Sequence, residues 1–103
     1  MKAKKWDIWL ASVKFEDSPV SKKRPVLIIE EGVCIVVSLK MTSQKPRGGD
    51  DYILKEWIQA GLTKETVVRT KKIIHLSESC LIRKLGELQA SDAHEVHEML
   101  GIL

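Results

Sequence analysis

A mainly β fold, a small barrel of short strands closed by one C-terminal helix, is what this sequence predicts, and three observations carry the prediction. Runs rich in β-branched and apolar residues stand at 26–29, 33–39 and 66–76, divided by polar, Gly- and Pro-bearing stretches. Two of these runs are separated only by Glu30-Glu31-Gly32, the spacing of a hairpin. A helical period with a start signal, Ser91 followed by apolar residues at 93, 96, 99 and 100, closes the chain.

The elements follow in order. Residues 6–13, aromatic and β-branched, suit a first strand, and the polar residues 16–22 with Pro19 form a loop. Pro25 opens the second strand, where a missing N–H is tolerated. Residues 26–29 are apolar at every position, so both faces of that strand are expected to be covered. Gly32 serves the turn by accepting a positive φ, and 33–39 returns as a third strand. Residues 40–51 make a long polar connection of the kind that carries function. A brief apolar piece at 52–54 leads into a helix over 55–60, with Leu54, Trp57 and Ile58 at helical spacing and Gly61 as its C′ stop. Residues 66–76 read as a long strand. At 81–88, Leu81, Leu85 and Leu88 fit a helix by spacing while Gly86 weakens one, so helix and strand both stand. Ser91 caps a helix over 92–100 with Glu95 and Glu98 toward solvent. Together these pieces indicate a small SH3-like barrel formed by residues 1–103 as one domain.

At 103 residues there is room for one core, and no apolar run reaches the roughly 20 residues of a membrane span. The basic start Met1-Lys2-Ala3-Lys4-Lys5 leads into no signal-peptide core, which predicts a cytoplasmic protein. Cys34 and Cys80 lack ligand spacing, and Cys34 is expected as a buried thiol without a disulfide. His94 and His97 are read as solvated helix residues, with no metal site and no cofactor implied. Residues 1–50 hold ten Lys/Arg against six Asp/Glu, while 51–103 hold seven against eight. The excess sits at Lys22, Lys23 and Arg24 and between Lys40 and Arg47, which suits a polyanionic partner or a plain solvated surface.

Five short motifs run in order along the chain: Trp6-Asp7-Ile8-Trp9, Lys23-Arg24-Pro25-Val26-Leu27, Met41-Thr42-Ser43-Gln44, Val67-Val68-Arg69, and Leu85-Gly86-Glu87-Leu88 before Ser91-Asp92. Over its whole length the chain resembles the PemK/MazF toxins, the mRNA interferases of type II toxin–antitoxin systems. The resemblance implies a strand at the ambiguous segment, and a homodimeric barrel that cuts single-stranded RNA without a metal. In that chemistry the RNA 2′-hydroxyl attacks the adjacent phosphate and leaves a 2′,3′-cyclic phosphate. It also implies a cognate antitoxin whose acidic, disordered segment covers the RNA groove. Carried over by motif, Arg24 and Thr42 are the catalytic arginine and threonine, Ser43 assists, and Arg69 matches an arginine catalytic in part of the family.

Elementary chemistry agrees with those roles. An always-charged guanidinium suits negative charge developing on nonbridging oxygens, and hydroxyls position the phosphate. Lys22, Lys23, Lys40, Lys45 and Arg47 are the RNA-tracking cations, with Phe15 as the stacking aromatic. Trp6, Trp9 and Trp57 are assigned to the core. The general base has no assignment: Lys71 stands where some members carry an acid, and Val20 where many have glycine. Glu16, Asp17 and Asp50 are candidates, and His75 is read as structural. A gyrase-poison-like toxin, or a nucleic-acid-binding barrel without cleavage, are the alternatives.

Overall fold

Four consecutive apolar residues in a strand need cover on both faces, and β2 receives it. The computed structural model describes residues 3–14, 19–39 and 49–101, the side chains of 35–39 excepted. The strands are β1 (Asp7–Lys14), β2 (Ser21–Glu30), β3 (Val33–Leu39), β4 (Asp51–Ile53), β5 (Thr66–His75) and β6 (Leu81–Glu87), followed by the helix α1 (Ala90–Leu100). They form one antiparallel sheet in the order β4-β5-β3-β2-β1-β6. The mainly β class with a C-terminal helix is as the sequence predicts. Among the described residues the sheet is not closed: β4 and β6 stand at opposite edges.

Alternation along β2 divides the interior in two. Leu27 and Ile29 join Ile8, Leu54, Ala60, Leu62, Val68, Leu88 and Val96 on one face. Val26 and Ile28 join Ala3, Ala11, Val13 and Cys34 on the other. Trp6 and Trp57 pack half-buried against the first cluster and Trp9 against the second, in line with their core assignment. Cys34 and Cys80 are free thiols, and burial, with a smaller contribution from Cys80, pushes Cys34 up to about 11.

Several boundaries differ from the sequence reading. Trp6 lies before β1, in a turn at φ +74°, with its N–H donating to the Ile28 carbonyl (2.6 Å) and its carbonyl accepting from Leu88 N–H (2.8 Å). Those two bonds hold a bulky residue in a conformation it seldom adopts. β2 begins at Ser21, four residues before Pro25. Residues 21–25 pair with β1, and β3 joins only from Val26 onward. Pro25, which has no N–H to offer, stands where the second neighbour is lost.

The expected helix over 55–60 is a single turn. Six residues are too few to sustain a helix on their own. Gly61, at φ +95°, ends the turn as foreseen: its N–H bonds to Ile58 O and that of Leu62 to Trp57 O, both at 3.0 Å. That is a Schellman arrangement closing one turn. Ser91 is not the cap of α1. Gln89 occupies the N-cap position without a side-chain bond, and Ser91 Oγ donates to Glu56 Oε2 at 2.6 Å. Within the expected apolar face, Val96 is buried while Met99 is 37% exposed.

Candidate active site

The two arginines singled out by sequence arrive from separate strands onto one face of the sheet. Arg24 pairs with Ala11, a member of the second cluster, and paired residues of an antiparallel ladder share a face. On β5, Val68 belongs to the first cluster, so its neighbour Arg69 points to the side of the second. Continuing the β2–β3 register by two residues brings Arg24 level with Ser38, which pairs with Val67. From strand spacing and rise, the Arg24 and Arg69 Cα atoms then lie roughly 12 Å apart with β3 between them. Two arginine side chains reach a common group across such a gap.

Their surroundings differ. Arg24 is exposed, and its Nη1 donates to the Lys23 carbonyl at 2.9 Å. Arg69 is half-buried opposite Asp51, and its Nε is enclosed without a hydrogen-bond acceptor among the described residues. A buried donor left over costs free energy unless something accepts from it. Lys22 pairs with Val13 and so shares the face of Arg24, whereas Lys23, one residue on, takes the opposite face. The basic run at 22–24 is therefore divided between the two sides. Thr42, Ser43, Phe15, Lys40, Lys45 and Arg47 lie outside the described residues, as do Glu16 and Asp17. The segment 40–48 follows directly from Leu39, at the end of β3 nearest Arg24.

The other acid–base candidates separate. The Asp50 carbonyl accepts from Thr70 N–H (3.0 Å) and Oγ1 (2.6 Å), leaving the Asp50 side chain exposed. Lys71 is exposed on β5. His75 is exposed at the end of β5 opposite Val33.

Sequence reasoning missed the carboxylate on which the neighbouring architecture depends. Asp92 is 1% exposed. Its Oδ1 accepts from Tyr52 Oη (2.6 Å) and Lys55 N–H (3.0 Å), and its Oδ2 from Glu56 N–H (2.8 Å). One side chain thus ties β4, the turn after it and α1 together. Burial first, then the bond to Asp92, pushes the Tyr52 phenol up, so it remains a donor at physiological pH. The signal available was the stripe itself: Asp92 lies one helical turn before the buried Val96. Asp92→Asn keeps the shape but turns an amide NH2 toward a donor. It is expected to cost about 2 kcal/mol, read as a fall of about 10 °C in thermal midpoint. An unchanged midpoint would show that the carboxylate does not hold this junction.

With that geometry in hand, comparison with known proteins is informative. Residues 4–103 match the family model of PemK-like, MazF-like toxins of type II toxin–antitoxin systems. A mycobacterial endoribonuclease, solved in complex with its cognate antitoxin, is similar at a TM-score of 0.68 and 15% identity, over 96% of this chain and 91% of that one. The MazE–MazF complex of Deinococcus radiodurans is similar at 0.66 and 16% identity, over 98% and 94%. At these identities the likeness is one of fold. Among curated proteins none matches the sequence.

Proposed function

Since this chain belongs to the PemK-like, MazF-like toxins of type II toxin–antitoxin systems, we propose that it is an endoribonuclease that cuts single-stranded mRNA without a metal. The observation that carries the proposal is the placement of Arg24 and Arg69 on one sheet face, either side of the strand that leads into 40–48. The attacking 2′-hydroxyl and the departing 5′-oxygen both belong to the RNA. The protein's task is to orient them and to stabilise charge on the nonbridging oxygens. Arg24 takes that charge with paired N–H donors, Thr42 and Ser43 hold the phosphate, and Arg69, whose Nε lacks an acceptor among the described residues, completes the clamp. Attack forms the bond from the 2′-oxygen to phosphorus and breaks the bond to the 5′-oxygen. The attacking hydroxyl gives up a proton to the solvent and the leaving oxygen gains one.

The same reading supplies the partners. Lys22, Lys40, Lys45 and Arg47 track the strand's phosphates and Phe15 stacks on a base, while Lys23, on the other face of β2, is left out of that track. A cognate antitoxin lays an acidic, disordered segment over this cationic face, and a second copy of the chain completes a cytoplasmic homodimer. No helix among the described residues is long and apolar enough to cross a membrane.

The test is chemical. Purified protein incubated with a long mRNA and excess chelator is expected to give discrete fragments ending in 2′,3′-cyclic phosphate and 5′-hydroxyl. A single 2′-deoxy substitution at a mapped site should abolish that cut. RNA left intact would overturn the proposal, as would cleavage that survives the deoxy substitution. Salt-sensitive RNA binding without cuts would favour a binding barrel, and damaged DNA with intact RNA a gyrase poison.

A further inference from the structure

The side of the sheet turned away from Arg24 carries a second group of cations. In the β1–β2 ladder Lys14 pairs with Ser21, Ser12 with Lys23 and Leu10 with Pro25, and across the other edge of β1 Leu10 pairs with Arg83 of β6. Paired residues share a face and alternate residues of a strand return to it, so these side chains lie together on the side of Ile8 and Leu27. Ile8 and Leu27 are fully buried, whereas Leu10, Ser12 and Pro25, next along the same face, are half-buried. Lys14, Lys23 and Arg83 are exposed and make no ion pair among the described residues, and none of the residues in these rows is acidic. The outcome is a strip of half-covered apolar surface, Leu10 and Pro25, with uncommitted cations at both ends. From strand spacing and rise, the Lys23 and Arg83 Cα atoms lie roughly 12 Å apart.

The chemistry of the strip selects its occupant. Single-stranded nucleic acid is held by stacking as well as by charge, and these rows contain no aromatic residue, Trp9 being on the opposite face. A second copy of the chain meeting this face by two-fold symmetry would set cations against cations. A peptide bearing carboxylates around an apolar side chain complements both features. We propose that this face docks an extended acidic segment of a partner protein, with the pattern Glu-x-Leu-x-Glu. In an extended chain residues i, i+2 and i+4 point the same way and span roughly 13 Å, the separation of the two cations. One carboxylate meets Arg83, the leucine covers Leu10 and Pro25, and the second carboxylate meets Lys23, with Lys14 beyond it. Because the segment lies on the back of the sheet from Arg24, it binds together with RNA instead of displacing it. The docking face does not depend on the cleavage proposed above.

The probe is a fluorescein-labelled peptide with the core Glu-Ser-Leu-Ser-Glu, and its control carries the same residues as Glu-Glu-Ser-Ser-Leu. The wild type is expected to bind the probe in preference to the control, and less tightly as salt rises. Lys23→Glu and Arg83→Glu should each weaken probe binding about tenfold, because a repelling charge replaces an attracting one. Lys22→Glu, one residue away in sequence but on the Arg24 side, should leave it unchanged. Thermal midpoints within about 2 °C of the wild type establish that these exposed variants are folded. Arg83→Glu should cut RNA at the wild-type rate, and an uncleavable 2′-O-methyl RNA should not displace the peptide. Probe binding that the wild type lacks, that Lys23→Glu and Arg83→Glu leave intact, or that RNA competes away overturns the docking face. A wild-type dimer that Leu10→Ser dissociates in sedimentation would make the strip an interface between copies, which overturns it too. Charge-dependent probe binding by a protein that leaves RNA uncut would remove the nuclease reading and leave the docking face standing.

Discussion

Arg24→Ala is expected to lower kcat for RNA cleavage about a hundred- to thousandfold, the loss typical when one donor to a developing oxyanion is removed, equivalent to about 3–4 kcal/mol. The residue is exposed, its side chain reaches only the Lys23 carbonyl, and no carboxylate pairs with it among the described residues. Its removal therefore leaves no buried partner stranded, and the thermal midpoint should stay within about 2 °C of the wild type, as for a surface change. That combination, lost rate with kept stability, separates a charge-stabilising arginine from a structural one. Arg24→Lys should recover only part of the rate, because an ammonium keeps the charge but cannot present two parallel donors to a phosphate. Single-turnover cleavage with saturating enzyme is the measurement. A variant that cuts within about threefold of the wild-type rate would remove Arg24 from the mechanism.

Gly86→Ala is expected to be the most damaging small substitution in the described fold, at about 4 kcal/mol. A Cβ at Gly86 would fall 1.7 Å from the Ala60 carbonyl oxygen and 2.9 Å from its carbon. Both are backbone atoms, so no rotamer change makes room. The same carbonyl accepts from Glu87 N–H at 3.0 Å, the bond that docks β6 onto the turn ended by Gly61. Overpacking of this kind costs about 1–3 kcal/mol and sometimes more, and the separated hydrogen bond adds about 1. For a chain of this size the midpoint should fall by 15 °C or more, roughly 4–8 °C per kcal/mol. Thermal unfolding followed by circular dichroism reads it. A fall of only about 2 °C would mean that the strand and turn do not meet so closely in solution.

Gly86 also shows where sequence legibility ended. Read locally it is a residue that weakens a helix, and the leucines at 81, 85 and 88 left helix and strand both standing. The tertiary reason for their spacing is that Leu81 packs against one cluster and Leu85 against the other. In an unbroken strand residues four apart share a face. Here the β1–β6 pairing shifts register twice, between Ile8 and Trp9 and between Leu10 and Ala11, and the face changes. Such irregularity blurs the two-residue period, and only the resemblance to a family directed the reading to a strand. The short helix expected at 55–60 failed for a related reason. Its apolar spacing was real, yet what shapes the turn is the Asp92 carboxylate bonding the Lys55 and Glu56 N–H groups from more than thirty residues away.

What the sequence determined by itself was local or repeated: the β2–β3 hairpin from its two apolar runs and turn, β5 from its β-branched stretch, the terminal helix from its stripe, and the positions of Arg24 and Arg69. Tertiary structure decided which side chains share a face. It put Arg24 and Arg69 on one face, divided Lys22 from Lys23 and buried Asp92. Period and propensity are set by neighbours along the chain, whereas strand order and register are set by pairing between distant segments. Arg24 on β2 and Arg69 on β5 come onto one face only when that pairing is complete.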